Sequence, residues 1–247
     1  MDFKLNAIKD AVDSRDHLAA PPAAPLLASV DLSQWMPPIT NQGAEGCCTA
    51  QTGVRILSWL HRRFLNANLV FSPQFLYRAE RLCEGDPQLD GGAQSRTMMA
   101  CLQEVGVCLE TSDPYNDGGW QAPTTHAMLE EANKYRSGAY HRVPDLDTAL
   151  SVLSSGYPVS LGIDVFQSFE SSAVARTGEV PVPDPKKEHS IGGHEVTVYG
   201  YSLASKVLLL DNSWGISWGD SGRFQLPFAY WPFVMDCWTT HLGPAWR

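Results

Sequence analysis

The spacing of apolar and polar positions changes near the middle of the chain. Leu5, Ile8 and Val12 stand at i, i+3, i+7 and predict a short helix within residues 1–16. The run AAPPAAPLLAS (19–29), with Pro21, Pro22 and Pro25, predicts a stiff extended linker or strap; the alternative is a disordered tail. Pro and Gly keep 31–47 as loop. Val54, Leu57, Leu60 and Phe64 recur at spacings of three and four, so a helix is expected over about 48–64, with Arg62 and Arg63 in its last turn, where cations suit the dipole. Ser72-Pro73 opens a second helix, because proline is pre-shaped for the first turn. Residues 94–105 predict a third, ending at Gly106. After a helix at 146–154 the period falls to two. PVSLGIDVF (158–166), HEVTVYGYS (194–202), VLLLDNSW (207–214) and RFQLPF (223–228) predict strands separated by turns at LASK and GDSG. The order implies a mainly helical first half and an antiparallel sheet or barrel in the second, with the lobe boundary near 125–140. No internal repeat is present.

Composition narrows the function. Hydrophobic residues make up 44% of 247 and charged residues 18%, which supplies a core and excludes a disordered chain. A net charge of −9 argues against a broad nucleic-acid surface. No stretch approaches the roughly 20 apolar residues of a membrane span. MDFKLNAIKDAVDSRD lacks an apolar stretch after a basic start, so no Sec signal is expected. The expected location is the cytosol, or a compartment reached by a route that leaves no such signal. Six cysteines (Cys47, Cys48, Cys83, Cys101, Cys108, Cys237) allow disulfides but do not require them in a chain large enough to fold on its core.

The segment NQGAEGCCTAQTG (41–53) places a thiol where a glycine-rich loop becomes a helix. Unpaired N–H groups at a helix start stabilise a thiolate, and a nearby imidazolium adds to this. His194, in IGGHEV, follows two glycines at the start of an alternating strand. Asn212 ends the next strand, so a tight connection brings the two together; its carbonyl oxygen can accept the imidazole N–H and fix the ring. Gln42, six residues before Cys48, can donate its amide to an oxyanion alongside the Cys48 N–H. Cys47 offers a second thiol, but the alignment with Gln42 and with the helix start selects Cys48. His61, His126, His141, His189 and His241 have no partner pattern and are taken as surface or satisfied residues. No Cys/His set has zinc spacing, so neither metal nor other cofactor is expected. Asp113-Pro114-Tyr115 is taken as a structural turn.

These segments resemble the papain family of cysteine peptidases. The resemblance is carried by Asn41-Gln42-Gly43, Gly46 with Cys48, Gly91-Gly92, Gly193-His194, Gly200-Tyr201, Asn212-Ser213-Trp214-Gly215 and Trp218-Gly219, and spans about residues 31–230. The Cys48-to-His194 interval falls within the roughly 130–150 residues typical of the family. The resemblance implies an α+β, two-lobe fold: a helical lobe facing an antiparallel β-barrel lobe, with the active-site cleft between them. The expected organisation is a propeptide-like segment at 1–30, a helical lobe with the nucleophile at 31–130 and a β-rich lobe with His and Asn at 131–247. It implies Cys48 as nucleophile, His194 as acid/base, Asn212 as orienting residue, Gln42 as oxyanion donor, Trp214 as shield of the His–Asn bond (and core aromatic with Trp218), and Gly91, Gly92 and Gly193 as backbone walls for substrate.

Three departures stand out. The family's usual cysteine pair falls at Glu45 and about Leu89, so that disulfide is expected to be absent. Thr49 replaces an aromatic residue after the nucleophile. Glu195 follows the histidine where a small residue is usual, and either faces the specificity pocket, favouring a basic or polar group, or points to solvent. The expected function is a cysteine endopeptidase acting through a thioester at Cys48, autoinhibited by its N-terminal segment. The alternatives are an acyl or peptidyl transferase with the same triad and an inactive peptide-binding homologue. Expected partners are protein or peptide substrates and the chain's own N-terminal segment, with no nucleic acid and no membrane, for a monomer. Deleting residues 1–30 is expected to raise activity.

Overall fold

A computed structural model of the chain describes residues 3–20 and 25–243. Met1, Asp2, Pro21, Pro22 and residues 23–24 and 244–247 lie outside the described residues, and with them part of the expected 1–30 segment and the core of its proline-rich run. In chain order the elements are β1 (Ala7–Ile8), β2 (Ser29–Asp31), α1 (Cys48–Leu65), α2 (Pro73–Cys83), β3 (Ala93–Gln94), α3 (Ser95–Glu104), α4 (His126–Ala132), β4 (Ser137–Arg142), α5 (Leu146–Ser154), β5 (Val159–Phe166), α6 (Ser172–Thr177), β6 (Ser190–Ser202), β7 (Val207–Asp211), β8 (Arg223–Pro227) and β9 (Val234–Leu242).

The helices form where local chemistry favours them. The Ser72 side chain caps α2 by accepting the Phe75 N–H, with Pro73 in its first turn. Asp145 caps α5 through the Thr148 N–H. α1 ends on Asn66 in the left-handed conformation (φ 51°). It buries Val54, Ile56, Leu57, Trp59 and Leu60, and packs against α2, α3 and β6. The sheet is antiparallel, ordered β4-β9-β5-β6-β7-β8, and β2 pairs with the end of β6. It is an open sheet, not the closed barrel expected: β4 and β8 are its two ends. β2 joins this sheet although it precedes every helix in the chain, so Ser29 and Val30 are built into the body and are not part of a separate strap.

A buried ion pair ties α1 to β7. Arg55 donates to Asp211 and to the carbonyls of Pro38 (2.7 Å) and Pro37 (3.1 Å), and Asp211 also accepts from Arg223 (3.0 Å). Both Arg55 and Asp211 are almost wholly buried. All six cysteines are free thiols. Glu45, in the place of a family cysteine, accepts from the Gly118 N–H (2.9 Å) and from Gln74 Nε2 (3.4 Å). No helix of the described residues is long and apolar enough to cross a membrane.

The N-terminus corrects one expectation. Residues 1–16 do not form a helix over the described positions. Ala7–Ile8 instead pair in parallel with Ala93–Gln94, and Asn6 bridges Gly193. The segment thus finds backbone partners on both sides of a groove. The apolar spacing does not mark a buried face, because Val12 is fully exposed.

Candidate active site

Cys47 occupies the N-cap of α1 and Cys48 its first turn. Their side chains part there. Cys47 Sγ lies against Tyr115 Oη (3.4 Å) and Gln51 Nε2 (3.7 Å). Cys48 is instead approached by the backbone N–H groups of Glu195 and Thr49, so it faces the strand that carries His194. Alternation along β6 turns His194 inward opposite Ile163 of β5.

His194 Nε2 lies 2.8 Å from Asn212 Oδ1. The Ser213 N–H donates to the same oxygen at 2.8 Å, which fixes which end of the amide faces the ring. Nε2 therefore carries the proton donated to Asn212. Nδ1, buried and with no hydrogen-bond partner, is left as the basic nitrogen. Trp214 stacks on the imidazole (centroids 4.7 Å, 25°) and covers the His194–Asn212 bond. Gln42 is bound to the same turn. Its N–H donates to the Ser213 carbonyl (2.8 Å), and its Oε1 accepts from Ser213 Oγ (2.7 Å). Its Nε2 is left to donate to the Glu45 carbonyl (3.0 Å) and to the carbonyl of Lys4 (3.3 Å).

The fold thus brings Cys48, His194, Asn212, Gln42 and Trp214 together from α1, β6 and the two loops bridged by Asn41 and Trp214. Gly92 (φ 75°) and Gly193 line the groove beside them. A Cβ on Gly92 would lie 1.7 Å from the Asn6 carbonyl oxygen, and one on Gly193 2.1 Å from that of Ala7, so only glycine lets a chain approach so closely. Gly91 is backed by the Arg81 guanidinium. Glu195 is wholly buried and does not point to solvent. Its carboxylate accepts from Ser95 Oγ (2.7 Å) at the start of α3, and burial pushes its pKa up to about 8. Two contributors escaped sequence reasoning. Ser213, inside the quoted Asn212–Gly215 motif, orients both Gln42 and Asn212. Tyr115 donates to the Gln42 carbonyl (2.6 Å). The N-terminal segment, expected from the sequence to cover the site, is there as well.

That segment runs through the groove. Phe3 stacks on Trp214 (4.7 Å, 2°). The Lys4 carbonyl takes the Gln42 amide, and the Lys4 ammonium pairs with Asp90. Asn6 Nδ2 donates to the Asp90 carbonyl (3.0 Å), and β1 follows along β3. Beneath this cover neither Cys48 nor His194 has any exposed surface. Burial pushes the Cys48 thiol up to about 12, against the pull of the Glu195 and Thr49 N–H groups. It pushes His194 down to about 4, against the bond to Asn212. Both groups are therefore neutral near pH 7. In the full chain, alkylation of Cys48 by iodoacetamide is expected to be much slower than that of the exposed Cys83, because the reagent reaches the buried thiol only when the segment lifts. Equal rates at the two thiols would show that the segment does not cover Cys48.

Among the described residues no group of His, Cys, Asp and Glu gathers as a metal site. A model of the papain family of cysteine proteases matches residues 27–229. An uncharacterized peptidase C1-like protein of Acanthamoeba polyphaga mimivirus is 33% identical over 201 residues, 77% of this chain. Cysteine proteinase 3 of Entamoeba histolytica is 29% identical over 212 residues, 84% of this chain. The chain spans 64% of the length of each of these relatives. Among solved structures, xylellain, a cysteine protease from Xylella fastidiosa, superposes with a TM-score of 0.89 at 27% identity over 96% of both chains. The digestive procathepsin L 3 of Tenebrio molitor larval midgut shares the fold (TM-score 0.76, 16% identity, 96% of this chain and 76% of that one). The matching family model, the order of the site residues and the two-lobe fold agree: the chain belongs to the papain family of cysteine proteases.

Proposed function

We propose that the chain is a cysteine endopeptidase with Cys48 as nucleophile, held inactive while residues 3–10 fill the groove. One observation carries the reading: the Gln42 amide, poised beside Cys48 to stabilise an oxyanion, is occupied by a backbone carbonyl of the chain's own N-terminus.

When the groove opens, water and substrate polarity remove the burial penalty, and the Cys48 proton passes to His194 Nδ1. The thiolate attacks the scissile carbonyl, and the electron pair moves to oxygen. Gln42 Nε2–H and the Cys48 N–H stabilise that charge; removing one such donor costs about 10²–10³ in rate. The tetrahedral intermediate collapses as His194 gives its proton to the leaving amine, forming a thioester. His194 then takes a proton from water, which hydrolyses the thioester. Asn212 holds the ring in place for both transfers, and Trp214 keeps water from the His194–Asn212 bond. Gly91, Gly92 and Gly193 take the substrate backbone as they take that of the strap. We infer that a substrate runs opposite to the strap, which pairs in parallel with β3; the amide nitrogen of the strap peptide at Gln42 then lies on the wrong side for protonation by His194.

The test uses the full chain carrying a sequence-specific protease site between the fully exposed Val12 and Asp13, compared uncut and cut after folding. The cut protein is expected to hydrolyse peptides and to be labelled at Cys48 by a thiol-directed peptidyl inhibitor, and the uncut protein to do neither at a comparable rate. Equal rates before and after cutting would remove the strap from the reading. Labelling with acyl transfer but no hydrolysis would establish a transferase, and no labelling would establish an inactive homologue.

A further inference from the structure

The strap makes its most elaborate contact several residues from Cys48, at Asp10. This residue is buried and its carboxylate has no exposed surface. One oxygen accepts from the Arg96 N–H (3.1 Å), in the first turn of the ten-residue helix α3. The other accepts from Trp238 Nε1 (2.8 Å) and from Arg142 Nη2 (2.9 Å). Its backbone N–H donates to Asp236 (2.7 Å). Three N–H donors from α3, β4 and β9 thus converge on one carboxylate at the end of the groove.

The donors stay in position without Asp10. The Arg142 guanidinium lies over the Trp238 ring (4.9 Å) and is also paired with Asp236 and Asp16, both at 2.9 Å. Arg96 is held by Asp16 at 2.8 Å and packs on the same ring. Trp238 is wholly buried in the core. When residues 1–12 leave, Asp16 and Asp236 still balance the two arginines. Glu195, close by, is neutral near pH 7 because burial raises it to about 8. What is lost is one acceptor facing three fixed donors. An acidic side chain restores it. An amide offers one acceptor oxygen and sets its NH2 against the remaining donor, and a lysine ammonium meets only donors.

We propose that this end of the groove is a carboxylate-binding subsite, built by Trp238, Arg142 and the Arg96 N–H, which selects substrates with an Asp or Glu on the amino-terminal side of the cleaved bond. The location follows from the strap: its Lys4 end marks the reacting centre, and a substrate running the opposite way passes Gly193 and Ala93 before reaching Asp10's position. The inference rests on the reading of the chain as a peptidase opened by departure of its strap. It differs from the sequence expectation for Glu195, since the charged donors near the groove end are arginines and the Glu195 carboxyl is spent on Ser95.

The cut full-length protein described above, freed of residues 1–12, is given fluorogenic peptides that differ only in carrying Asp, Asn, Ala or Lys at one of the second to sixth positions before the scissile bond. At one position Asp is expected to exceed Asn at least tenfold in kcat/KM, with Lys the poorest. Trp238→Phe, which keeps an aromatic side chain and removes the N–H, is expected to reduce the Asp-to-Asn ratio severalfold. A second readout needs no catalysis: anisotropy of the same peptides, labelled, on the cut Cys48→Ala protein should show the same order of affinities. A third uses the uncut chain, where Asp10→Asn should raise the rate of Cys48 alkylation about tenfold by loosening the strap. Hydrolysis with Asp, Asn and Lys equivalent at every position would overturn the inference and leave the peptidase reading standing. Acid-selective binding without hydrolysis would do the reverse. Absence of any peptide binding by the Cys48→Ala protein would overturn the subsite.

Discussion

Replacing Cys48 by alanine is expected to lower kcat/KM of the strap-free chain by about five orders of magnitude, since removing a nucleophile that works as one unit with its base leaves only binding and oxyanion stabilisation. Cys47→Ala is expected to stay within about threefold of the parent, because the change removes one buried sulfur and costs about 1 kcal/mol of packing. The contrast is the informative part. The two thiols are adjacent and both wholly buried. Cys47 is turned to Tyr115 and Gln51 within its own lobe, and Cys48 to the backbone that follows His194. Helix geometry separates neighbouring side chains by about 100° around the axis, so only one of them can face β6. Steady-state hydrolysis by the two cut variants, with folding checked by circular dichroism, measures the difference. Activity that survives in Cys48→Ala and vanishes in Cys47→Ala would reassign the nucleophile.

The second large effect is on stability. Asp211→Ala is expected to cost about 3–5 kcal/mol, the usual result of stripping one partner from a buried ion pair. Arg55 is left with the carbonyls of Pro37 and Pro38 and no counter-charge, in a site where its side chain is only 2% exposed. In thermal unfolding this corresponds to a fall of roughly 10 °C for a chain of this size. Arg223→Met removes the other partner of Asp211, but that side chain is 38% exposed, so the loss is expected at about 1 kcal/mol or less. The double variant Arg55→Met/Asp211→Leu should recover much of the single loss, because a volume-matched apolar pair carries no desolvation penalty. A single variant as stable as the parent would show that the pair contributes nothing net to joining α1 and β7.

The elements readable from the chain were those whose period is local. α1, α3 and α5 begin and end within one or two residues of the expected positions, α2 begins at the expected Pro73, and β5 and β8 are as close. The short β1, β2 and β3 went unread, and so did two longer strands, β4 and β9. In β4, SGAYHR carries no alternation. In β9, VMDCWTTHL, the strand follows directly on Trp231-Pro232-Phe233, where proline disguises its start. β4 and β9 form by pairing with each other and β9 with β5, contacts made across long stretches of chain. The same limit explains the N-terminal error. Leu5, Ile8 and Val12 have helical spacing, but a segment of that length is marginal as an isolated helix in water. The groove supplies hydrogen-bond partners on both sides, and the extended form wins.

The constellation of Cys48, His194, Asn212 and Gln42 was visible along the chain because its chemistry depends on residue types held in a characteristic order, and order is a linear property. Its present state was not. Whether the pair is charged depends on burial, and burial here comes from Phe3, Lys4 and Asn6, more than 40 positions before Cys48 and far from His194 in sequence. Ser213 and Tyr115 became parts of the site only when the loop at Gln42 was set against them. Asp10 gained a role only when Trp238, Arg142 and the start of α3 met around it. Residue order specifies which groups can react; desolvation and hydrogen-bond partners, which exist only after distant segments pack, decide which of them are free to do so.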